Sequence, residues 1–265
     1  MRREEYSEAN RQAWNEAGPI HAESQLAGLL DDFRRPGHSC LDQTATATLR
    51  KIGLAGKAVA QLCCNNGREL LSVRNLGAGR CVGFDISEAF IAQARELAAA
   101  GGIECDFVAT DIYAIAPGHD GRFDLVIITI GALCWMPDLR AFMAVAARLL
   151  HRGGRVFVYE QHPIADMFET DRPANPLELR YSYFDPGPYP SDHGLDYWTG
   201  RRYAARPSYS FHHKLSDVLG ACIGAGFALE SFVEHDHDIS SLFAAIEAQP
   251  IRPPLSYSLV ARKAD

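Results

Sequence analysis

Short runs rich in apolar residues alternate with longer amphipathic stretches through the middle of this chain. Ala58–Leu62, Cys81–Phe84, Glu104–Val108, Phe123–Ile130 and Arg155–Glu160 have the length of strands rather than helices. Between them, Arg68–Leu76, Glu88–Ala100 and Leu139–Leu150 carry apolar residues at helical spacing. FDLVIITI at 123–130 is almost wholly apolar, as a central parallel strand covered on both faces requires. Ser87 stands where a helix N-cap belongs, and Gly101-Gly102 and Gly153-Gly154 stand where helices stop. This rhythm predicts a βα-repeated, mostly parallel sheet with helices on both faces.

The flanks read differently. Residues 1–40 predict an N-terminal helical lid and linker: a charged, helix-prone preface carrying Tyr6, Trp14 and His21, then DDFRRPGHS at 31–39 ending in a Pro-Gly turn. Leu41–Leu54 predicts a further helix, closed by Gly53 and Gly56. After Gln161 the periodicity breaks. Residues 161–208 are dense in Pro, Tyr, Asp and Gly, too rich in turn formers for regular units and too aromatic for a plain linker. They predict an ordered cap over the strand ends, whose Tyr183 and Tyr197 either line a substrate pocket or form a small core. Phe211–Ala225 then predicts a helix, and Phe227–Glu234 and Leu255–Ala261 two last strands. The whole, 1–265, reads as a single domain.

Composition narrows the function. With 33 Asp+Glu against 26 Lys+Arg, the net charge is -7, and no basic tail or Lys-rich helix offsets it. A nucleic-acid backbone is therefore not the expected partner. Seven cysteines, an odd number without a CxxC pair, read as reduced and largely buried thiols. The N-terminus has no apolar signal core and no run approaches a membrane span, so the expected location is cytoplasmic, as a monomer or homodimer.

The most informative stretch runs from Lys57 to Asp85, where strand, tight turn, helix and strand place an acid at a strand tip beside a helix N-terminus. QLCCNNG at 61–67, VGFD at 82–85, VATDIY at 108–113, DLVIITIGALCWMPD at 124–138 and LLHRGGRVFVYE at 149–160 together resemble the class I S-adenosylmethionine-dependent methyltransferases. Asp85 lies 18 residues beyond Gly67 and Asp111 lies 26 beyond Asp85, each gap sufficient for one structural unit. An acid after a strand also serves simply to cap the next helix, but two at successive tips make coincidence less easy.

The resemblance implies a Rossmann-like methyltransferase fold: a seven-stranded sheet with an antiparallel last strand and a cap insertion after strand five. It implies S-adenosylmethionine as cofactor, with methyl transfer by in-line displacement to an oxygen or nitrogen of a small organic acceptor. It also assigns roles. Cys63, Asn65, Asn66 and Gly67 shape the methionyl pocket; Asp85 holds ribose hydroxyls, Ile86 covers an adenine face, and Asp111 accepts from the adenine amino group. Ile112 offers a neighbouring N–H, and Thr129, Gly131 and Leu133 pass near the methyl-bearing sulfur, with Trp135 following on the same loop. The apolar members equally suit ordinary core. The first motif departs from the family pattern, because Gln61 replaces an acid and Cys63 and Asn65 replace glycines.

A sulfonium methyl is already electrophilic, so alignment matters first, and a base is needed only where the acceptor must lose a proton. His162 in YEQHP and His212, read as opening the helix after the cap, are the candidates for that role. Glu160, at the same strand tip as His162, is a candidate to orient the acceptor. Tyr6, Trp14 and His21 are candidates to close over the site. EHDHD at 234–238 supplies two imidazoles but not a complete zinc signature, so no metal is expected.

Overall fold

The structure is a computed structural model and describes residues 1–169 and 175–264. Its centre is a seven-stranded sheet. Strands β1 (Val59–Leu62), β2 (Cys81–Asp85), β3 (Asp106–Ala109), β4 (Phe123–Thr129) and β5 (Leu150–Gln161) run parallel. After the short strands β6 (Tyr189–Ser191) and β7 (Ser208–Ser210), which form their own antiparallel pair, β8 (Phe227–His235) and β9 (Ser256–Lys263) complete the main sheet. The order is β3-β2-β1-β4-β5-β9-β8, with β9 antiparallel to both neighbours. The seven strands, mostly parallel with the last one reversed, are those that the family resemblance implies.

The order places β1 and β4 side by side at the middle, which is why they are buried along their length. Helices α3 (Gln43–Ile52), α4 (Arg68–Asn75) and α5 (Glu88–Gly101) cover one face, sharing a core that includes Leu49, Leu71, Ile91 and Phe157. Helices α6 (Leu139–Leu149) and α7 (Leu215–Gly224) cover the other through Phe142, Met143, Val218 and Cys222. The chain reverses direction between β1 and β4, so a crevice opens at the carboxyl ends of the strands.

Several boundaries move for identifiable reasons. Helix α3 starts at Gln43 because Asp42 caps it, its Oδ1 accepting the Ala45 N–H at 2.7 Å. The segment expected as a linker from residue 31 is partly helical: α1 (Arg3–His21), a π-helical turn at Ala22–Leu26 and α2 (Ala27–Phe33) follow one another without a break. The expected helix at 211–225 begins only at Leu215. Residues 208–210 pair with β6 instead, and the next backbone groups are held elsewhere: Phe211 N–H donates to Cys134 O at 2.7 Å and His212 N–H to Pro186 O at 3.1 Å. His212 and His213 therefore lie on a segment that is not helical, and the excursion after β5 runs past 208. Part of the expected cap, 170–174, lies outside the described residues.

Helix α1 packs across α5, where Gly18 approaches Ala89 so closely that a Cβ on Gly18 would sit 2.6 Å from the Ala89 methyl. Asn10 clasps β7 with both ends of its amide, donating to Tyr209 O at 2.9 Å and accepting from Tyr209 N–H at 2.8 Å. Among the described residues no helix is long and apolar enough to cross a membrane.

Candidate active site

The turn after β1 is the foundation of the site. Its backbone is left-handed at Cys63 (φ 56°), Asn65 (φ 50°) and Gly67 (φ 73°), the three positions where the family pattern has glycines. Asn66, although asparagine tolerates that conformation better than most residues, does not adopt it. Cys64 N–H donates to Phe84 O at 3.0 Å, Gly67 N–H to Cys64 O at 2.8 Å and Asn66 N–H to the Asn65 side-chain oxygen at 2.8 Å. Gly67 serves packing as well as conformation, since a Cβ there would lie 2.5 Å from the Phe107 ring.

Asp85 sits at the tip of β2 and faces this turn. One carboxylate oxygen accepts the Asn65 N–H at 2.8 Å and the other the Ser87 N–H at 2.9 Å. Burial raises its pKa, opposed by those backbone donors. Asp111 follows β3 and caps the short 3-10 turn Ile112–Ala114 by accepting the Tyr113 N–H at 3.0 Å. The capping role open to any such acid is thus present, and it uses one of the two oxygens. Ile86 and Asp111 line one cavity of about 150 Å³ with Ala109 and Thr110, bounded by Ser7, Glu8 and Arg11 of α1. That volume is below the ~300–1,000 Å³ of a complete small-ligand pocket, and suits one end of a nucleoside. Ile112 is buried in the core.

Gln61, on β1, is 1% exposed. Its amide N–H donates to Thr129 Oγ1 at 2.8 Å, while its carbonyl Oε1 is buried with no partner. An acceptor left so costs ~1–3 kcal/mol unless a donor arrives. Cys63, Cys64 and Cys134 have thiol pKa values pushed well above the ordinary range, first by burial and next by Asp85 for the first two and by Glu160 for Cys134. They remain neutral thiols rather than nucleophiles.

Glu160 has a different place from the one expected of an acceptor-orienting acid. Its buried carboxylate accepts the N–H groups of Gly131 (2.7 Å), Ala132 (2.6 Å), Leu133 (3.0 Å) and Gln161 (3.3 Å). It anchors the loop after β4, and its pKa is raised by burial despite those donors. Gly131, left-handed at φ 79°, begins that loop. His162 is likewise engaged on both ring nitrogens: Nε2 pairs with Glu234 at 3.0 Å and Nδ1 accepts the Ile164 N–H at 3.2 Å. That is the geometry of a local cap, not of a free base.

His212 is placed otherwise. Its Nδ1 lies 3.2 Å from Asp166 Oδ2, the Tyr183 ring stands edge-on at 5.4 Å, and its Nε2 is buried without a partner. Asp166 was not foreseeable, being 46 residues away in an unremarkable turn after β5.

Aromatic rings from four parts of the chain meet beside this region. Trp14 of α1 stands edge-on to Phe90 of α5, Trp135 of the post-β4 loop and Tyr197 of the excursion, with centroids 5.8, 5.1 and 6.2 Å away. His21 joins through Tyr197 at 4.8 Å, its Nε2 bonded to Leu195 O at 2.7 Å. Tyr6 lies apart from them, edge-on to Tyr209 and Phe211, both at 5.2 Å. A larger hollow of about 630 Å³, lined by Tyr6, Asp138, Phe211 and His213, is bounded by none of Asn65, Asp85, Asp111 and Glu160.

In EHDHD, His235 bonds Ser258 Oγ at 3.0 Å and His237 bonds Tyr159 OH at 2.9 Å. Among the described residues no group of three or more His, Cys, Asp or Glu is arranged to hold a metal.

Comparison with known proteins agrees with this fold. Residues 59–154 match the family model of a methyltransferase domain. A comparison of the sequence with curated proteins matches none of them. Among solved structures, a putative S-adenosylmethionine-dependent methyltransferase from Listeria monocytogenes is 19% identical with a TM-score of 0.62, over 84% of this chain and 100% of that one. Magnesium protoporphyrin IX methyltransferase from Synechocystis PCC 6803, solved with bound S-adenosylmethionine, is 18% identical with a TM-score of 0.57, over 97% of each chain. A cyclase also shares the architecture, at 17% identity and a TM-score of 0.53, over 94% of this chain and 96% of that one. The chain has the class I S-adenosylmethionine-dependent methyltransferase fold.

Proposed function

We propose that this protein transfers the methyl group of S-adenosylmethionine to an oxygen or nitrogen of a small organic molecule. What supports the reading is three acceptors on or just after successive strands: Gln61 Oε1, buried and unpartnered, the Asp85 carboxylate, and the second oxygen of Asp111. The cofactor presents three matching donors, an ammonium, a pair of ribose hydroxyls and an adenine amino group. Asn65, Asn66 and Cys63 shape the methionyl end, Ile86 covers the adenine, and Thr129 with Gly131–Leu133 borders the reacting sulfur. Bound there, the cofactor supplies an electrophilic methyl, and the protein aligns a nucleophile against it and excludes water. Trp14, Trp135 and Tyr197 supply apolar walls suited to an organic acceptor. The net charge of -7 disfavours a nucleic-acid substrate.

A second reading, the same crevice used without methyl transfer, is favoured by the cyclase of the same fold and by the altered first motif. Calorimetric titration with S-adenosylmethionine and S-adenosylhomocysteine, followed by mass-spectrometric detection of methylated products, separates the two. Asp85→Ala should weaken cofactor binding at least tenfold. Equal affinity in that variant, or no binding by the parent protein, overturns the proposal.

A further inference from the structure

We infer that His212 is the general base of the reaction and that the acceptor carries a hydroxyl. This inference deepens the methyl-transfer reading and rests on it.

The imidazole is almost fully buried, its side chain 6% exposed. A carboxylate can only accept, so the 3.2 Å contact with Asp166 puts a ring hydrogen on Nδ1, and in the neutral imidazole Nε2 is then a bare lone pair. No donor reaches that nitrogen, and His212 is the one histidine among the described residues with a buried ring nitrogen lacking a partner. Folded proteins seldom leave such an acceptor unmet, since its lost hydration then goes uncompensated. Where they do, a functional reason is the first to test.

The position supplies one. Phe211 N–H donates to Cys134 O at 2.7 Å and His213 Nε2 contacts Met136 O at 2.8 Å, so the 211–213 segment is fastened to the loop after β4. Asp166 belongs to the turn Ala165–Met167 that follows β5. His212 is thus held between the loop after β4, which Glu160 anchors, and the turn after β5. The groups facing it are Asp166, the Tyr183 ring and the adjacent His213; the Tyr183 hydroxyl is itself engaged by the Leu215 N–H at 3.0 Å.

A lone pair here selects the acceptor. A neutral amine such as an aniline attacks through its own lone pair and needs no proton removed first. A phenol or alcohol is a poor nucleophile until its O–H proton is taken. The acceptor O–H bond breaks and its proton passes to Nε2. The oxygen pair forms the bond to the methyl carbon as the carbon–sulfur bond breaks, and that electron pair stays on sulfur. Asp166 stabilises the imidazolium, which afterwards gives its proton to solvent.

His212→Asn is the decisive variant, because the asparagine amide can still donate to Asp166 but offers no base. Parent and variant are titrated with S-adenosylhomocysteine, then assayed with S-adenosylmethionine on catechol, 4-methoxyphenol, 4-nitrophenol and 4-methoxyaniline. The expected result is unchanged analogue affinity and a 10²–10⁴-fold drop in kcat on catechol and 4-methoxyphenol, on the order of what a general base contributes. The penalty should shrink on 4-nitrophenol, which ionises without help, and the variant's residual rate should rise with pH. A merely structural histidine would show none of that dependence on acceptor acidity. Nitrogen NMR of the parent should place the single ring hydrogen on Nδ1. The inference falls if the hydrogen is on Nε2, if the loss is equal on 4-nitrophenol, if His212→Asn retains full activity, or if no hydroxyl probe is methylated. Retained analogue binding in those cases leaves the methyl-transfer reading standing, whereas absent binding overturns that reading first.

Discussion

Replacing Glu160 by Gln tests whether this carboxylate holds the post-β4 loop or takes part in the chemistry. One side-chain oxygen accepts from Ala132 and Leu133, and the amide oxygen of glutamine can keep those two bonds. The other oxygen accepts from Gly131 and Gln161, where glutamine would present an N–H₂ group to two N–H donors. Hydrogen bonds to a charged acceptor are worth ~1.5–3 kcal/mol each, and buried donors left unmet cost about as much again. Removing a buried charge offsets part of this, since burial already dominates the raised pKa of Glu160. The balance is a destabilisation of about 2–4 kcal/mol. Urea unfolding followed by tryptophan fluorescence should show a lower midpoint at unchanged slope. Affinity for S-adenosylhomocysteine should fall too, because the loosened loop is the one proposed to border the sulfur. A variant that unfolds like the parent yet transfers no methyl would refute the anchoring role and return Glu160 to the chemistry.

Two further changes probe the same site. Gln61→Glu puts a buried charge where the amide carbonyl has no partner, so the free protein should lose roughly 1–3 kcal/mol while an ammonium-bearing ligand restores it. The melting-temperature rise on adding S-adenosylhomocysteine should therefore exceed that of the parent; an equal rise sinks the assignment of Gln61 to the methionyl end. The pH dependence of stability follows from buried imidazoles. Burial lowers the pKa values of His21, His162, His213 and His235, so the unfolded chain binds more protons just below the ordinary value of 6.5. Stability should fall as pH drops through that region, by ~1.4 kcal/mol per pH unit for each extra proton bound. The raised carboxyls of Asp85 and Glu160 act oppositely, the folded state binding their protons first, and should flatten the curve at lower pH. Urea midpoints at pH 7.5, 6.5 and 5.5 that do not differ would refute this.

The sheet was legible because its signal is local. Apolar runs of strand length and helices with clear stops repeat through residues 58–160, and each unit packs on the next. Where bonding is long-range, the sequence offered less. Nothing in the sequence marks Ser208–Ser210 as a strand, yet it pairs with Tyr189–Ser191 and is clasped by Asn10 from the opposite end of the chain. The Asp166–His212 pair and the Glu160 anchor have the same character. Their partners lie 46 and 27 to 29 residues away, beyond any periodicity. Glu160 and His162 both stand at a strand tip, and that position alone cannot distinguish a free group from one already bonded.

The first motif shows the converse, a conformation kept after its usual residues are gone. Cys63 and Asn65 hold left-handed backbones that glycine adopts freely, at a cost of ~1–2 kcal/mol each. Such strain persists only where the surroundings over-determine it. Here the turn is tied by Cys64 to Phe84, by Gly67 to Cys64 and by Asn65 to Asp85, bonds worth ~0.5–1.5 kcal/mol each, with the last, to a carboxylate, at the upper end or beyond. The two sides are comparable, so the turn is held with little to spare. Asp85 is then more than a contact for ribose: the carboxylate proposed to bind the sugar also fixes the backbone proposed to receive the methionyl end. Asp85→Ala should therefore weaken S-adenosylhomocysteine more than it weakens adenosine, which lacks the amino-acid tail. A loss equal for both would mean that the turn keeps its shape without Asp85.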